Sequence, residues 1–153
     1  LELASIRAGL HQVHARAEAT ELDLPADGWP GWIEADLSVD RTNDLVTVRA
    51  HLETVARLEC VRCLKVYDAP LAADFQVLAD RSGSGSGLEA DLERDQYMKF
   101  HDGRRLDLSG EARETLLLAL PIAPRCREDC LGLCPRCGAD LNDGPCGCSR
   151  VAP

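Results

Sequence analysis

The sequence predicts an α+β fold, made of an antiparallel sheet, one helix packed on it, and a cysteine-rich C-terminal tail over 121–150. Three observations predict it. Runs of alternating apolar and polar residues fill the first half of the chain, as a half-buried sheet requires. One stretch of helical spacing follows and ends at Pro121. Six of the eight cysteines then fall within the 23 residues from Cys126 to Cys148.

Residues 1–10 are ambiguous, because Leu3, Ile6 and Leu10 suit a helical turn while Gly9 weakens it. From Val13 the period becomes two. Val13, Ala15, Ala17 and Ala19 alternate with His14, Arg16 and Glu18, which reads as a strand. Residues 25–31, Pro-Ala-Asp-Gly-Trp-Pro-Gly, form a loop by their breakers. Ile33, Ala35, Leu37 and Val39 then oppose Glu34, Asp36, Ser38 and Asp40 in a second strand, and Arg41-Thr42-Asn43-Asp44 is a turn. Val46, Val48, Ala50, Leu52, Ala56 and Leu58 share the next apolar face, opposite Thr47, Arg49, His51, Glu53, Arg57 and Glu59. Residues 33–59 therefore read as an antiparallel hairpin with one wet face. Its long second strand delivers the chain to Cys60-Val-Arg-Cys63, and Leu64, Val66, Leu71, Ala73, Phe75, Val77 and Ala79 return as another strand.

Residues 80–95 break the pattern. The Ser-Gly repeat at 82–87 and the acidic residues after it have the composition of a flexible loop. The second half lacks a core of its own, so one domain over 1–153 is expected rather than two. From Asp107 or Ser109 as N-cap, Leu108, Ala112, Thr115, Leu116, Ala119 and Leu120 fit a helix, and Leu117 and Leu118 widen its apolar face toward the sheet. There is no internal repeat.

Composition narrows the function. A formal net charge of −9 repels phosphate, and six aromatic residues (Trp29, Trp32, Tyr67, Phe75, Tyr97, Phe100) make no base-stacking platform, so nucleic acid would have to be bound locally. No apolar run approaches the ~18 residues of a membrane helix, and no export signal is visible, so the expected compartment is the cytoplasm. There is no phosphate-cradling glycine loop, nucleophile elbow or acid/base carboxylate pair, and a non-catalytic protein is expected. The histidines lack metal-ligand spacing. His14 and His51 fall on polar strand faces and His11 and His101 near loops, all read as solvated.

The cysteines are the informative residues. A tail whose large apolar side chains are Leu131, Leu133 and Leu141 cannot bury enough surface to hold a shape. In a reducing compartment, paired cysteines more often bind metal than form disulfides. Zinc takes four thiolates in a tetrahedron, and Cys60-x-x-Cys63 and Cys134-Pro-Arg-Cys137-Gly each offer two without strain. Cys126-x₃-Cys130 and Cys146-Gly-Cys148 complete eight ligands, enough for two closed, structural Zn²⁺ sites. The grouping that closes the shortest loops joins Cys134, Cys137, Cys146 and Cys148, and leaves Cys60 and Cys63 with Cys126 and Cys130. The alternative joins 60/63 with 134/137, as a zinc ribbon does. Arg57, Arg62, Lys65, Arg125, Arg127 and Arg136 flank the pairs, either offsetting the charge of the tetrathiolates or forming a small basic face.

The segments Leu-Glu-Cys60-Val-Arg-Cys63-Leu, Asp107-Leu-Ser-Gly-Glu-Ala-Arg-Glu-Thr-Leu-Leu-Leu-Ala-Leu-Pro121 and Cys130-Leu-Gly-Leu-Cys-Pro-Arg-Cys-Gly-Ala-Asp-Leu-Asn142 occur in that order, and on them the chain resembles the YceD family. The resemblance implies a bacterial protein, with plastid relatives, supporting accumulation of large-subunit ribosomal RNA. Its gene would commonly neighbour that of a small large-subunit ribosomal protein, and the family has no established enzymatic activity. Some members lack the distal cysteines, which favours the first grouping. The Ser-Gly repeat departs from the family pattern. The function expected is ribosome biogenesis through a large-subunit ribosomal protein or an rRNA precursor, with no small-molecule substrate. A zinc-ribbon RNA-binding module and a thiol-redox enzyme are the other readings.

Overall fold

In the computed structural model, which describes residues 1–81 and 98–148, the first half of the chain is an up-and-down meander. Strands β1 (Gly9–Ala17), β2 (Ile33–Thr42), β3 (Leu45–Glu59) and β4 (Val66–Asp80) pair antiparallel in sequence order. A short β5 (Met98–Phe100) joins the far side of β4 in parallel, so the sheet is mixed at that edge rather than wholly antiparallel. Parallel pairing needs a crossover of roughly a dozen residues, and the chain between β4 and β5 is long enough to supply one. The loop expected at 80–95 lies outside the described residues, except for Asp80 and Arg81.

Most elements fall where the alternation puts them, with shifts at their ends. β1 starts at Gly9 rather than Val13 and takes in His11, while a 3₁₀ turn, Leu3–Ser5, precedes it. The turn expected over 41–44 tightens to Asn43 and Asp44, with Asn43 at φ 56 in the left-handed region that asparagine tolerates. Leu64 stays outside β4.

One face of the sheet is packed. Toward its lower end, Leu3, Val39, Val46, Val48 and Ala79 form a core with Leu106 from the chain before the helix. At the upper end, helix α1 (Ser109–Ala119) lays Ala112 and Leu116 on Ile33, Leu52, Ala56 and Ala73, beside Leu22, Leu24 and Trp29. The N-cap is Leu108 rather than either predicted residue, yet Asp107 does the capping, since its Oδ1 accepts from the Ser109 N–H at 3.0 Å. Leu117 and Leu118 do not widen the packed face. A helix turns roughly 100° per residue, so Leu118 is carried far from Leu116 and stands 85% exposed.

His101 corrects the solvated reading. It is buried, its Nδ1 accepts from the Gly103 N–H at 2.9 Å, and its Nε2 therefore carries the proton and donates to the Asp44 carbonyl at 3.1 Å. The ring thus ties the chain after β5 to the β2–β3 turn. Thr54 is a second departure. It occupies the apolar face of β3 between Leu52 and Ala56, and its hydroxyl has no hydrogen-bond partner among the described residues. A buried hydroxyl left without a partner costs on the order of 1–3 kcal/mol. Thr54→Val, which keeps the shape and removes the hydroxyl, is expected to raise stability by about 1 kcal/mol in urea denaturation. A drop in the midpoint would show that the hydroxyl is satisfied.

Candidate metal centre

The site begins where β3 and β4 outrun the sheet. β2 pairs with β3 only as far as Glu53, whereas the β3–β4 ladder continues to Glu59 opposite Val66. The free edge of this two-stranded ribbon is held by the 25–31 loop, whose Gly28 carbonyl accepts from the Arg57 N–H at 2.8 Å. At the tip, the Cys60 N–H donates to the Lys65 carbonyl and the Leu64 N–H to the Cys60 carbonyl, both at 2.9 Å. Backbone amides of Arg62 and Cys63 also point at the Cys60 sulfur.

The second Cys-x-x-Cys segment repeats this geometry bond for bond. The Cys134 N–H donates to the Ala139 carbonyl at 2.7 Å, the Gly138 N–H to the Cys134 carbonyl at 2.9 Å, and the amides of Arg136 and Cys137 point at the Cys134 sulfur. Both turns place the residue after the second cysteine in the left-handed region, Leu64 at φ 58 and Gly138 at φ 72. Glycine adopts that conformation freely and leucine does so at a cost of about 1 kcal/mol. The tip of the hairpin therefore holds an unfavourable backbone conformation, sustained by what surrounds it.

What surrounds it is the tail. Pro124 accepts from the Val61 N–H at 2.9 Å, the Arg62 guanidinium donates to the Cys130 carbonyl at 2.7 Å, and the Leu133 N–H donates to the Arg62 carbonyl at 3.0 Å. At Gly132 (φ 77) a Cβ would stand 2.9 Å from that same carbonyl, so only glycine fits. These contacts gather Cys60, Cys63, Cys126 and Cys130 into one cluster and Cys134, Cys137, Cys146 and Cys148 into another, the sulfurs of each lying within 4.8 Å of one another. This is the first of the two groupings that the spacing allowed, and the ribbon-like exchange of pairs is not what the geometry places together.

The sulfurs are spaced for a shared ion. The Cys60–Cys130 and Cys63–Cys126 separations are 3.8 and 3.6 Å, near the roughly 3.8 Å edge of a tetrahedron with Zn–S bonds of about 2.3 Å. A disulfide would need about 2.05 Å, and all eight thiols are free. The Cys126 amide, with those of Cys63 and Arg62, brings the Cys60 thiol down to about 6, while burial pushes Cys126 up to about 12. In the distal cluster the amides of Cys137 and Arg136 bring Cys134 down to about 6, and hydrogen bonding with Cys137, with burial, pushes Cys148 up to about 12. Backbone amides thus favour the thiolate in each cluster while burial opposes it, and a bound cation would favour deprotonation of all four sulfurs. Each cluster could hold one metal ion.

The matched family model is described as large ribosomal RNA subunit accumulation protein YceD, and it covers residues 48–153. The chain belongs to the YceD family. The match takes in both Cys-x-x-Cys turns, the helix and the tail. The chain is also 31% identical over 120 residues to an uncharacterized protein of Mycobacterium leprae, covering 78% of this chain and 54% of that protein. It is 30% identical over 126 residues to an uncharacterized protein of Mycobacterium tuberculosis, covering 81% and 58%. A chloroplastic YCED homolog 1 of Arabidopsis thaliana, described as a large ribosomal RNA subunit accumulation protein, is 23% identical over 151 residues, covering 84% and 46%. The chain spans about half the length of these relatives. No solved structure matches.

Two residues of the segment 130–142 that carry no role in the sequence take one in the structure. Asn142 stands between the clusters, donating from Nδ2 to the Cys130 sulfur at 3.5 Å and accepting at Oδ1 from the Leu131 N–H and the Arg127 guanidinium, each at 2.8 Å. Asp140 binds the Lys65 ammonium at 2.6 Å, which together with Asn142 holds its carboxyl down to about 2. The signal available was the tight Asp-Leu-Asn spacing after Cys137, polar residues where a ligand loop needs only glycine. Three more of the flanking cations have internal partners. Arg57 pairs with Asp68, Arg62 holds Cys130, and Arg127 holds Asn142 and Asp129.

Proposed function

We propose that this chain is a non-catalytic, cytoplasmic factor supporting accumulation of large-subunit rRNA, and that it works by capturing a basic large-subunit ribosomal protein. The cysteine clusters are structural Zn²⁺ sites in this reading, and the tail they hold is part of one domain with the sheet. The family membership supports the pathway. The observation that supports the partner is the open face of the sheet. Glu34, Asp36 and Asp40 on β2, Glu53 and Glu59 on β3, and Asp68 and Asp74 on β4 face outward there, against Arg16, Arg49 and Arg57.

Two histidines are built into that face. The His14 ring lies 2.8 Å from Asp36 and 3.2 Å from Glu34 through its two nitrogens, and His51 lies 2.7 Å from Asp74 and 3.5 Å from Glu53. Hydrogen bonds to Asp36 and Asp74 respectively raise both rings above the ordinary histidine value. With both charged, the face is still net negative, and it suits a basic polypeptide better than a phosphate backbone. Beside the cysteines, by contrast, Arg62 and Arg127 are engaged within the tail. A rim charge acts mainly on association rate and salt dependence.

The test is binding of the zinc-loaded chain to purified large-subunit ribosomal proteins and to rRNA fragments over a range of salt. Glu53→Lys with Asp74→Lys is expected to weaken capture of a basic protein at least tenfold and to leave the unfolding free energy within about 0.5 kcal/mol, as exposed positions do. Tight, steeply salt-dependent binding of naked rRNA, undiminished by those substitutions, would replace this reading with the RNA-binding one.

A further inference from the structure

We infer that Asn142 couples the two cysteine clusters, acting as a positioning residue that lets the distal metal centre strengthen the proximal one. The inference rests on reading both clusters as metal sites. Asn142 belongs by sequence to the distal centre, in the loop between Cys137 and Cys146, yet its side chain serves the proximal one. Its four hydrogen-bonding positions are all used. Nδ2 donates to the Cys130 sulfur and, at 2.6 Å, to Asp140; Oδ1 accepts from Leu131 and Arg127. The orientation is unambiguous, because a flipped amide would turn its oxygen toward a sulfur and a carboxylate and its donors toward two other donors.

The loop is fixed to the proximal side by more than this residue. Lys65, two positions after Cys63, grips Asp140, and the Leu141 N–H donates to the Gly132 carbonyl at 2.9 Å. The distal four cysteines close this loop at both ends, so a metal there holds Asn142 at the position from which it donates to Cys130. A hydrogen bond to a ligating thiolate spreads its charge and fixes its direction, and residues of this kind typically change metal affinity by about tenfold to a hundredfold. Without the distal metal only the Lys65 and Gly132 ties hold the loop, and Asn142 is kept less firmly at the position from which it donates to Cys130.

The experiment loads the full chain with cadmium and follows the two tetrathiolate resonances by cadmium NMR under competition from a chelator. Asn142→Ala is expected to shift the proximal resonance and weaken that centre about tenfold to a hundredfold. Asn142→Asp keeps the size and the acceptor for Leu131 and Arg127 but sets an oxygen against the Cys130 sulfur, and should weaken it as much. Cys137→Ser should weaken the proximal centre in the native background and add little in Asn142→Ala, the signature of a shared path. Binding of two cadmium ions with the proximal affinity unchanged in Asn142→Asp, or fully additive effects of Cys137→Ser and Asn142→Ala, would overturn the coupling alone. Absence of any tetrathiolate resonance in the native chain would overturn the metal reading beneath it. Far-UV circular dichroism checks that the sheet is retained in each variant.

Discussion

Cys130→Ser should release the tail from the hairpin tip, lower the bound zinc from two ions per chain to one, and destabilise the folded chain by about 4 kcal/mol. Cys130 is fully buried, and with Cys126 it is the tail's share of the proximal cluster. The tail brings little apolar surface to that junction; beside the cysteines, Tyr67 and Leu133 pack there only partly buried. An ion bound only by the folded form stabilises it by about 4 kcal/mol when present at a thousand times its dissociation constant, and serine is a poor substitute for a thiolate. The strained Leu64 conformation should relax once the tail has gone. Cys148→Ser is the matched comparison. It also removes one ion, but its cluster closes a loop of the tail rather than a link to the sheet, so the midpoint should fall much less, by the coupling through Asn142 alone. Metal analysis with thermal denaturation and limited proteolysis after Pro121 separates the two. Equal losses from both variants, or two ions retained in Cys130→Ser, would contradict the division of labour between the clusters.

The same contrast explains what could be read in advance. The alternation along β2 and β3 was sufficient for the hairpin, because a sheet with one wet face imposes period two on every residue, and a one-residue slip would bury Glu34 and Asp36. The cysteine grouping followed from loop length, since a local site forms most readily from Cys134, Cys137, Cys146 and Cys148. Other features depended on contacts between distant segments. Nothing around Leu64 announces a left-handed residue, because the cost is borne by a tail that arrives some sixty residues later. His101 looked like a loop residue until the β2–β3 turn was brought to it. β5, only three residues long, carries too few side chains for any period to register. Hydrophobicity alone puts Leu117 and Leu118 on the packed face, whereas Ala112 and Leu116 show which stripe the sheet selects. Thr54 is polar and so escapes a hydropathy reading, although its place in the alternation puts it inside.

Trp29 carries the second large effect, and it too was hidden by its neighbours. Pro25, Gly28, Pro30 and Gly31 mark the segment as a loop, and loops are ordinarily tolerant of change. Here the loop does two things that a strand would otherwise do. Its Gly28 carbonyl satisfies the Arg57 amide on the ribbon edge that β2 has left, and Trp29 fills the space beneath, packed with Ala56, Ile33 and Leu52. Only 5% of Trp29 remains exposed. Burying an indole and then truncating it leaves a cavity that the sheet above cannot close, and such changes cost about 3–5 kcal/mol. Trp29→Ala is therefore expected to lower the unfolding free energy measured in urea by that amount, and to loosen the ribbon that presents Cys60 and Cys63, so that the proximal metal is given up more readily to a chelator. Trp32, three residues on, is the control. It is 46% exposed, with the Arg16 guanidinium 4.7 Å over its ring, and Trp32→Ala should cost no more than about 1 kcal/mol. If the two substitutions prove equally mild, the 25–31 loop is a cover rather than a wall of the core. The long hairpin would then have to draw its rigidity from the metal centre alone.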